Sequence, residues 1–493
     1  PSKSGQSPLV ERGLKLPRTA FPDSRSEKNV PHVSIDKQSE LRALAERVAE
    51  LAIDDGADAA EVIVGAGQSL SVKVRQGQKE LLHESESHGL GLRVFVSHRS
   101  AVCHTSDLSE AALRRFVHET VELSGLSEPD ELNELPERSE LVFPGQPSLD
   151  LDLWDEQTAR LSAPELFDLA RRTEAASLGY STKITNSDGA GCDRNAGHMA
   201  LALYDKAGLA FSGASRGTYC SLSVEALCDD EGGKKRNASY WSAHRFFQRL
   251  ASPESVGIEA ARRALSKLGA QKLATAELPV VFDPDASRAL LRTLAGVISG
   301  GAIYRKSSYL CGREGTLVAS PLLTISDEPL LPRGPGSRAF DGEGLPARRN
   351  LIVEDGVLRG FLLDTYSARK LGRRSNGCAG RSVGGSPHVT TSNLILRAGT
   401  SSPQALLDGI ERGLFVTDMM GFGFNAVTGD FSRGAAGFLI ENGQLTTPVS
   451  EITISANFDE LLKRIDAVGN DLDDRSSTMS PSLRISRMTI AGH

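Results

Sequence analysis

Gly213-Ala214-Ser215-Arg216-Gly217-Thr218-Tyr219-Cys220-Ser221-Leu222-Ser223-Val224-Glu225 is the stretch on which the fold turns. Its first five residues match G-x-S-x-G, the nucleophile elbow, whose serine sits on a sharp turn between a strand and a helix. The residues that follow argue against that turn. Thr218, Cys220, Leu222 and Val224 alternate with Tyr219, Ser221, Ser223 and Glu225, a period of two that puts one set on each face of a strand. A strand carrying a bulge at the glycines is therefore expected. Ser215 remains a nucleophile only for the case of an independent hydrolase.

Outward from this stretch, the alternation extends over Lys183 to Ala226 around Gly189, Gly208 and Gly213, and Pro164 to Ser177 before it is helical. Nearer the start, Leu41, Leu44, Val48 and Leu51 recur at helical spacing, with Gly56 just beyond. Glu61 to Val64, Leu70 to Val74, Leu90 to Val96 and Ala101 to His104 read as short strands of a meander, parted by turns at Gly65/Gly67, Gly77 and His98-Arg99-Ser100. A second helix is expected from Asp107, capped by its carboxylate with Glu110 three residues on, burying Leu113, Val117 and Val121. Residues 125–150 form a Glu/Pro-rich connection. Ser252-Pro253 opens a helix with the stripe Val256, Ala260, Ala264 and Leu268, placed as a hinge between halves. Leu278 to Phe282 is a strand, and Asp283-Pro284 opens a helix with the apolar face Leu290, Leu291, Leu294, Val297 and Ile298. From Leu317 to Ile490 strands dominate, with Asp355-Gly356 and Asn442-Gly443 as hairpin turns. The expected fold is α+β. Residues 1–34 are a flexible tail, 35–250 an N-terminal α+β domain with an antiparallel sheet, and 251–493 a β-rich, barrel- or sandwich-like C-terminal domain.

Composition narrows the function. With 56 Lys+Arg against 63 Asp+Glu, the net charge is −7, which disfavours direct nucleic-acid binding through bulk positive charge. No window reaches the ~18 consecutive apolar residues of a membrane span, and residues 1–30 lack the apolar centre of a signal peptide. The six cysteines form no C-x-x-C pair, so reduced, mostly buried thiols and a cytoplasmic address are expected.

Few strings carry chemistry. His83-Glu84-Ser85-Glu86-Ser87-His88 matches H-E-x-x-x-H, yet residues five apart face opposite sides of a strand and lie about 140° apart on a helix. A polar edge strand is the simpler reading. Gly65-Ala66-Gly67 lacks the third glycine of a dinucleotide loop, since position 70 is Leu. His198, His244 and His388 show no ligand spacing. On the helix opened by Pro284, Arg292 stays cationic, Thr293 is no base at neutral pH and Val297 has no lone pair.

Several strings together resemble the TldD/PmbA (TldE) family, associated with modulation of DNA gyrase and with peptide proteolysis. They are Gly89-Leu90-Gly91-Leu92-Arg93, Val281-Phe282-Asp283-Pro284, Phe340-Asp341-Gly342-Glu343-Gly344, Gly356-Val357-Leu358, Asp364-Thr365-Tyr366-Ser367-Ala368-Arg369-Lys370-Leu371-Gly372, Val427-Thr428-Gly429-Asp430-Phe431-Ser432 and Val468-Gly469-Asn470-Asp471. They run in family order from about residue 40 to the C-terminus. The resemblance implies a metallopeptidase relative with two kinds of subunit. The TldD kind carries H-E-x-x-x-H on the helix after the V-x-F-x-P strand, and a later cysteine completes its zinc site. Here the same positions hold Arg292, Thr293 and Val297, Gly296 is kept, and no cysteine follows Asp471. The resemblance thus implies the PmbA/TldE kind, expected to be inactive alone: no catalytic residue and no cofactor in this chain, with zinc expected in a TldD-type partner. A heterodimer with that partner or a homodimer, acting on extended peptides, is expected. Gly377, Gly384, Gly385, Gly421, Gly423 and Gly434 stand as candidate lining of a peptide channel. A non-enzymatic scaffold or gyrase-directed adaptor, and an independent hydrolase using Ser215 or His83/His88, are the alternatives.

Overall fold

The computed structural model describes residues 35–142 and 149–492, so the tail expected over 1–34 lies outside the described residues. Strands β1 (Ala59–Arg75), β2 (Gln78–Val96), β3 (Arg99–Thr105), β4 (Ile184–Asp205), β5 (Gly208–Asp229) and β6 (Lys235–His244) form one antiparallel sheet in the order β3-β2-β1-β4-β5-β6. Gly65 and Gly67 are not a turn. They sit inside the unbroken strand β1, paired with Gly89 and Ser87 on β2. The sheet keeps glycine there because another part of the chain comes close: a Cβ on Gly65 would stand 3.1 Å from Val383. The real turns are Gln76-Gly77 (φ 51 and 71) and Ser97-His98 (φ 50 and 65), positive at both positions as two-residue hairpins require. The bulge expected at Gly213–Gly217 is also absent. β5 pairs with β4 without a register shift from Phe211 to Tyr219.

Helices α1 (Ile35–Asp54), α2 (Glu110–Ser124), α3 (Glu156–Arg160), α4 (Ala163–Gly179) and α5 (Pro253–Ser266) pack on this sheet. α1 and α2 bury Leu41, Val48, Leu113 and Val117 against Val62, Val64, Leu90 and Leu92; α4 and α5 bury Leu166, Val256, Ala260 and Ala264 against Val72, Leu222 and Val224. Full burial of each large aliphatic side chain stabilises by roughly 1.5–3 kcal/mol. α2 begins two residues later than the sequence suggests. Ser109 is its N-cap residue, and the Asp107 carboxylate accepts the Ser109 N–H at 3.0 Å, a local turn that competes with capping. α5 is capped as expected, with the Ser252 hydroxyl accepting from Ser255 N–H. Its apolar stripe packs against α4, β5 and β6.

The second unit is built on a closed five-stranded barrel. Strands β7 (Ala276–Phe282), β14 (Arg412–Met420), β15 (Asp430–Glu441), β16 (Gln444–Asn457) and β19 (Leu483–Ala491) pair in the ring β16-β15-β14-β7-β19, and β16 meets β19 to close it. β17 (Ile465–Val468) flanks β19. A smaller sheet holds β8 (Ile325–Asp327), β9 (Asn350–Glu354), β10 (Val357–Leu358), β13 (Leu394–Leu396) and β18 (Thr478–Met479), and β11 (Ala379–Gly380) pairs with β12 (His388–Val389) in a separate hairpin. Asp355-Gly356 and Asn442-Gly443 make the expected hairpin turns, with φ of 47 and 81 and of 49 and 75. Helices α6 (Pro284–Val297), α7 (Gly300–Tyr304), α8 (Thr365–Lys370), α9 (Pro403–Leu407) and α10 (Phe458–Lys463) complete the unit. All six cysteines are free thiols, and four are buried. Among the described residues no helix is long and apolar enough to cross a membrane.

Candidate functional site

α6 starts where Asp283 accepts the Ala286 N–H at 2.8 Å, and Pro284 fills the first turn. Burial pushes the Asp283 carboxyl up to about 7. Leu290, Leu291, Leu294 and Val297 face the core. Arg292 is exposed, and the Thr293 hydroxyl donates to the Ala289 carbonyl at 2.9 Å. A guanidinium, a hydroxyl bonded to its own helix and a buried valine do not fit a zinc ion. Among the described residues no three His, Cys, Asp or Glu side chains converge as a metal group.

An ion-pair network lies one turn earlier on α6. Arg288, 4% exposed, donates to Asp285 at 2.9 Å and also to Asp473. Arg475 bonds Asp473 at 3.0 Å and Asp285 at 3.2 Å, donates to the Trp241 carbonyl, and lies over the Trp241 ring at 4.7 Å and the Tyr240 ring at 4.9 Å. Burial alone would raise the Asp473 carboxyl, but the two arginines hold it below its ordinary value. The segment after Val468-Gly469-Asn470-Asp471 is thus tied by charge to α6 and to β6.

A second polar cluster joins the units near β1. Glu61, fully buried, accepts from Arg93 at 3.0 Å and from Arg381 at 2.6 Å. Burial would raise its carboxyl, yet Arg381 and Arg93 hold it below the usual range. The loop after β11 carries Arg381 and lays Val383 on the sheet, where Cβ atoms on Gly65, Gly89 and Gly91 would meet it at 3.1, 3.3 and 1.7 Å. Asp341 accepts three backbone N–H groups, from Glu343, Leu345 and Ala379, fixing the loop next to it. Glu343 accepts the Thr365 N–H at 2.8 Å, and burial followed by the neighbouring Asp341 pushes its carboxyl up to about 8. From α8, Tyr366 donates to Asp130 and Arg369 donates to the carbonyls of Leu132, Glu134 and Leu135.

Between the units lies a cleft of about 890 Å³, inside the range of ligand pockets of roughly 300–1,000 Å³. Its walls include Ser215, Arg216 and Gly217 on β5, Trp154, Arg338 and His388. The structure brings Ser215 to this wall, where its register partner on β4 is Met199. His83 and His88 lie on β2 opposite Ser71 and Ala66, on the exposed half of that strand beyond the end of β3, which matches the edge-strand reading. His198 is 6% exposed at 4.9 Å from Trp154, and burial followed by Arg216 lowers it to about 4, so the ring is neutral at pH 7. His244 accepts the Phe246 N–H through Nδ1 at 2.9 Å. Among the glycines, Gly377 turns at φ 76, Gly384 packs 3.2 Å from the His104 ring, and Gly385 lies beside Ser382. Gly421 turns at φ 79, Gly434 lies beside Met420, and Gly423 borders a second cavity of about 550 Å³ with Phe424 and Ser432.

Three family models match this chain: PmbA/TldA metallopeptidase domain 1 over residues 60–124, the central domain over 156–268 and the C-terminal domain over 275–492. The chain belongs to the PmbA/TldD family. Metalloprotease PmbA of Escherichia coli O157:H7 is 35% identical over 88% of this chain and 92% of that protein; the PmbA homolog of Haemophilus influenzae is 35% identical over 93% and 97%. A TldD homolog of Haemophilus influenzae aligns over 50% of this chain at 30% identity. A solved structure from Bacteroides thetaiotaomicron, described as a candidate modulator of DNA gyrase, superposes with a TM-score of 0.83 at 30% identity, covering 92% of this chain and 99% of that one. TldE from Thermococcus kodakarensis shares the fold, with a TM-score of 0.79 at 20% identity over 91% and 100%.

Three of the seven strings that carry the PmbA/TldD resemblance fall on the contact between the two units. Gly89, Gly91 and Arg93 receive Val383 and Glu61, Asp341 and Glu343 shape the facing loop, and α8 grips the 130–135 segment. Sequence reasoning missed Glu61 and Arg381, which lie 320 residues apart. It also missed Arg338, whose Nε and Nη2 are buried without an acceptor. The one available signal for Glu61 was a carboxylate inside an otherwise apolar strand run.

Proposed function

We propose that this chain is the non-catalytic subunit of a TldD/TldE-type zinc metallopeptidase that acts in peptide proteolysis. The observation that carries the reading is α6: an exposed Arg292, a helix-bonded Thr293 and a buried Val297 stand where zinc chemistry needs two imidazoles and a carboxylate. The PmbA and TldD names of its relatives support a partnership of two related chains. The catalytic zinc then sits in a TldD-type partner, and this subunit completes the chamber for extended peptides in the cytoplasm. Zinc content and hydrolysis of an unstructured peptide are measured for this protein alone, for a TldD-type chain and for their mixture. Cleavage that requires the mixture and is lost to a chelator is the expected result. Stoichiometric zinc with peptide cleavage by this chain alone overturns the reading. No gain on mixing favours a scaffold that acts without proteolysis.

A further inference from the structure

The loop from Phe340 to Leu345 belongs to the second unit but is seated on the first. The rings of Phe340 and Phe211 on β5 meet edge to face at 5.1 Å, Leu345 is buried with Ile63, Leu201 and Phe211, and a Cβ on Gly344 would stand 2.8 Å from the Phe211 ring. The same loop is bound to the strand that leads to Arg381. Gly342 donates its N–H to the Ala379 carbonyl at 2.9 Å, and the Asp341 carboxylate accepts the Ala379 N–H at 3.1 Å. Unseating the loop therefore pulls on the Arg381 and Val383 contacts as well.

Between this loop and the sheet lies a cluster of buried charge. Asp341 and Glu343 come from the loop, Glu61 from β1, Arg93 from β2 and Arg381 from the segment after β11. Arg338 acts on Asp341 from the start of the loop. From α8, Thr365 donates its N–H to Glu343, and Asp364 caps that helix by accepting the Ser367 N–H. Val142, whose N–H reaches the Gly344 carbonyl, leads into residues 143–148, which carry no titratable side chain. Both Arg93 and Arg381 bind Glu61 through Oε2, so neither is set on Glu343. The charged groups that act most on Glu343 are Asp341 in its own loop and Glu61 across the joint, both acidic. The joint is also short of hydrogen bonds: Glu61 Oε1, Thr365 Oγ1 and Arg381 Nε are buried without a partner. A protonated carboxyl is a donor and an ionised one only an acceptor, so a neutral Glu343 can serve the Thr365 hydroxyl beside it and a charged one adds a further unmet acceptor.

We infer that this joint is a proton-operated latch: a proton on Glu343 keeps the loop seated on the sheet, and its loss sets Glu343 and Glu61 against each other from opposite units, lifts the loop off Phe211 and widens the cleft. The proton leaves to water through the cleft, whose wall includes Asp341 and Gly342. Thr365 holds Glu343 to α8, so the loop moves with the second unit. Burial and then Asp341 hold the Glu343 carboxyl up to about 8, so the latch is closed at neutral pH and released as pH climbs through that value. The device is built into the fold and stands whether or not a partner supplies zinc.

The full chain and its Glu343→Gln variant are compared by hydrogen exchange at pH 6 and at pH 9. Taking the ratio of the two proteins at one pH cancels the intrinsic pH dependence of exchange. At pH 6 the two are expected to match over residues 339–345 and 379–391. At pH 9 the parent is expected to exchange at least tenfold faster in those segments, with β15, β16 and β19 equally protected in both. Equal exchange at pH 9, a difference already as large at pH 6, or a parent that loses protection across the barrel as well overturns the inference. If Glu343→Gln misfolds, small-angle X-ray scattering of the unaltered chain makes the test. A radius of gyration that grows from pH 6 to pH 9 and returns on acidification, with an unchanged circular dichroism spectrum, is expected. A constant radius, or growth accompanied by loss of the circular dichroism signal, overturns the latch.

Discussion

Glu343 and Glu61 are two buried carboxyls in one interface with opposite responses to pH. Glu343 is held near 8 by burial and by Asp341, above the roughly 4.3 of an unfolded glutamate. Between those values the unfolded chain has released a proton that the folded chain keeps, so stability falls as pH rises, by up to about 1.4 kcal/mol per pH unit. Glu343→Gln keeps the acceptor for Thr365 N–H and removes the titration, so its urea midpoint is expected to drop less than that of the parent between pH 5 and pH 8. An equal drop in both proteins sinks the assignment. Glu61 works the other way: Arg381 and Arg93 depress it, so its contribution is present above about pH 4.3 and is lost as pH falls through its folded value. Arg381→Ala removes one of the two cations on a fully buried carboxylate, and a loss of about 3 kcal/mol in urea unfolding at pH 7 is expected. Arg93 remains in place, which sets the figure at the low end for breaking a buried pair.

At the scale of elements, sequence periodicity exposed the helices and most turns because their signals are local: the Ser252-Pro253 cap, the Asp283-Pro284 cap, and the Asp-Gly and Asn-Gly hairpins. It failed where the deciding contact was distant. Gly65 and Gly67 look like a turn in isolation, yet both pair within β1, and at Gly65 Val383 occupies the space a side chain would need. The residue types on α6, with Arg292, Thr293 and Val297, were legible from the sequence alone, whereas the ion pairs beside them join positions 185 and more residues apart. Arg475 is the hub of that network, touching Asp473, Asp285, Trp241 and Tyr240. Arg475→Ala is expected to cost about 2 kcal/mol, less than a fully buried pair because Arg475 retains some exposure. Hydrogen exchange is expected to rise at residues 471–476 while the barrel strands keep their protection; unchanged exchange there would show that Arg288 alone holds the segment.

For the whole molecule, the two units are joined by clasps from the second unit that reach into the first, and the Val383 loop is the one whose fit leaves least room. A Cβ on Gly91 would fall 1.7 Å from the Val383 carbonyl oxygen and 3.1 Å from Ile63, so alanine there forces the backbone of the clasp to move. At Gly67, on the neighbouring strand of the same sheet, the nearest atom would be 3.5 Å away, an ordinary contact. Gly91→Ala is therefore expected to lift the loop, part Arg381 from Glu61 and raise hydrogen exchange across residues 379–391, with melting lowered as for Arg381→Ala. Gly67→Ala serves as the control that changes the same residue type without reaching the clasp, and Ala is also the better residue in a strand interior on entropic grounds. Retained exchange protection at 379–391 in Gly91→Ala, or equal loss in Gly67→Ala, would mean that the clasp does not set the spacing between the units.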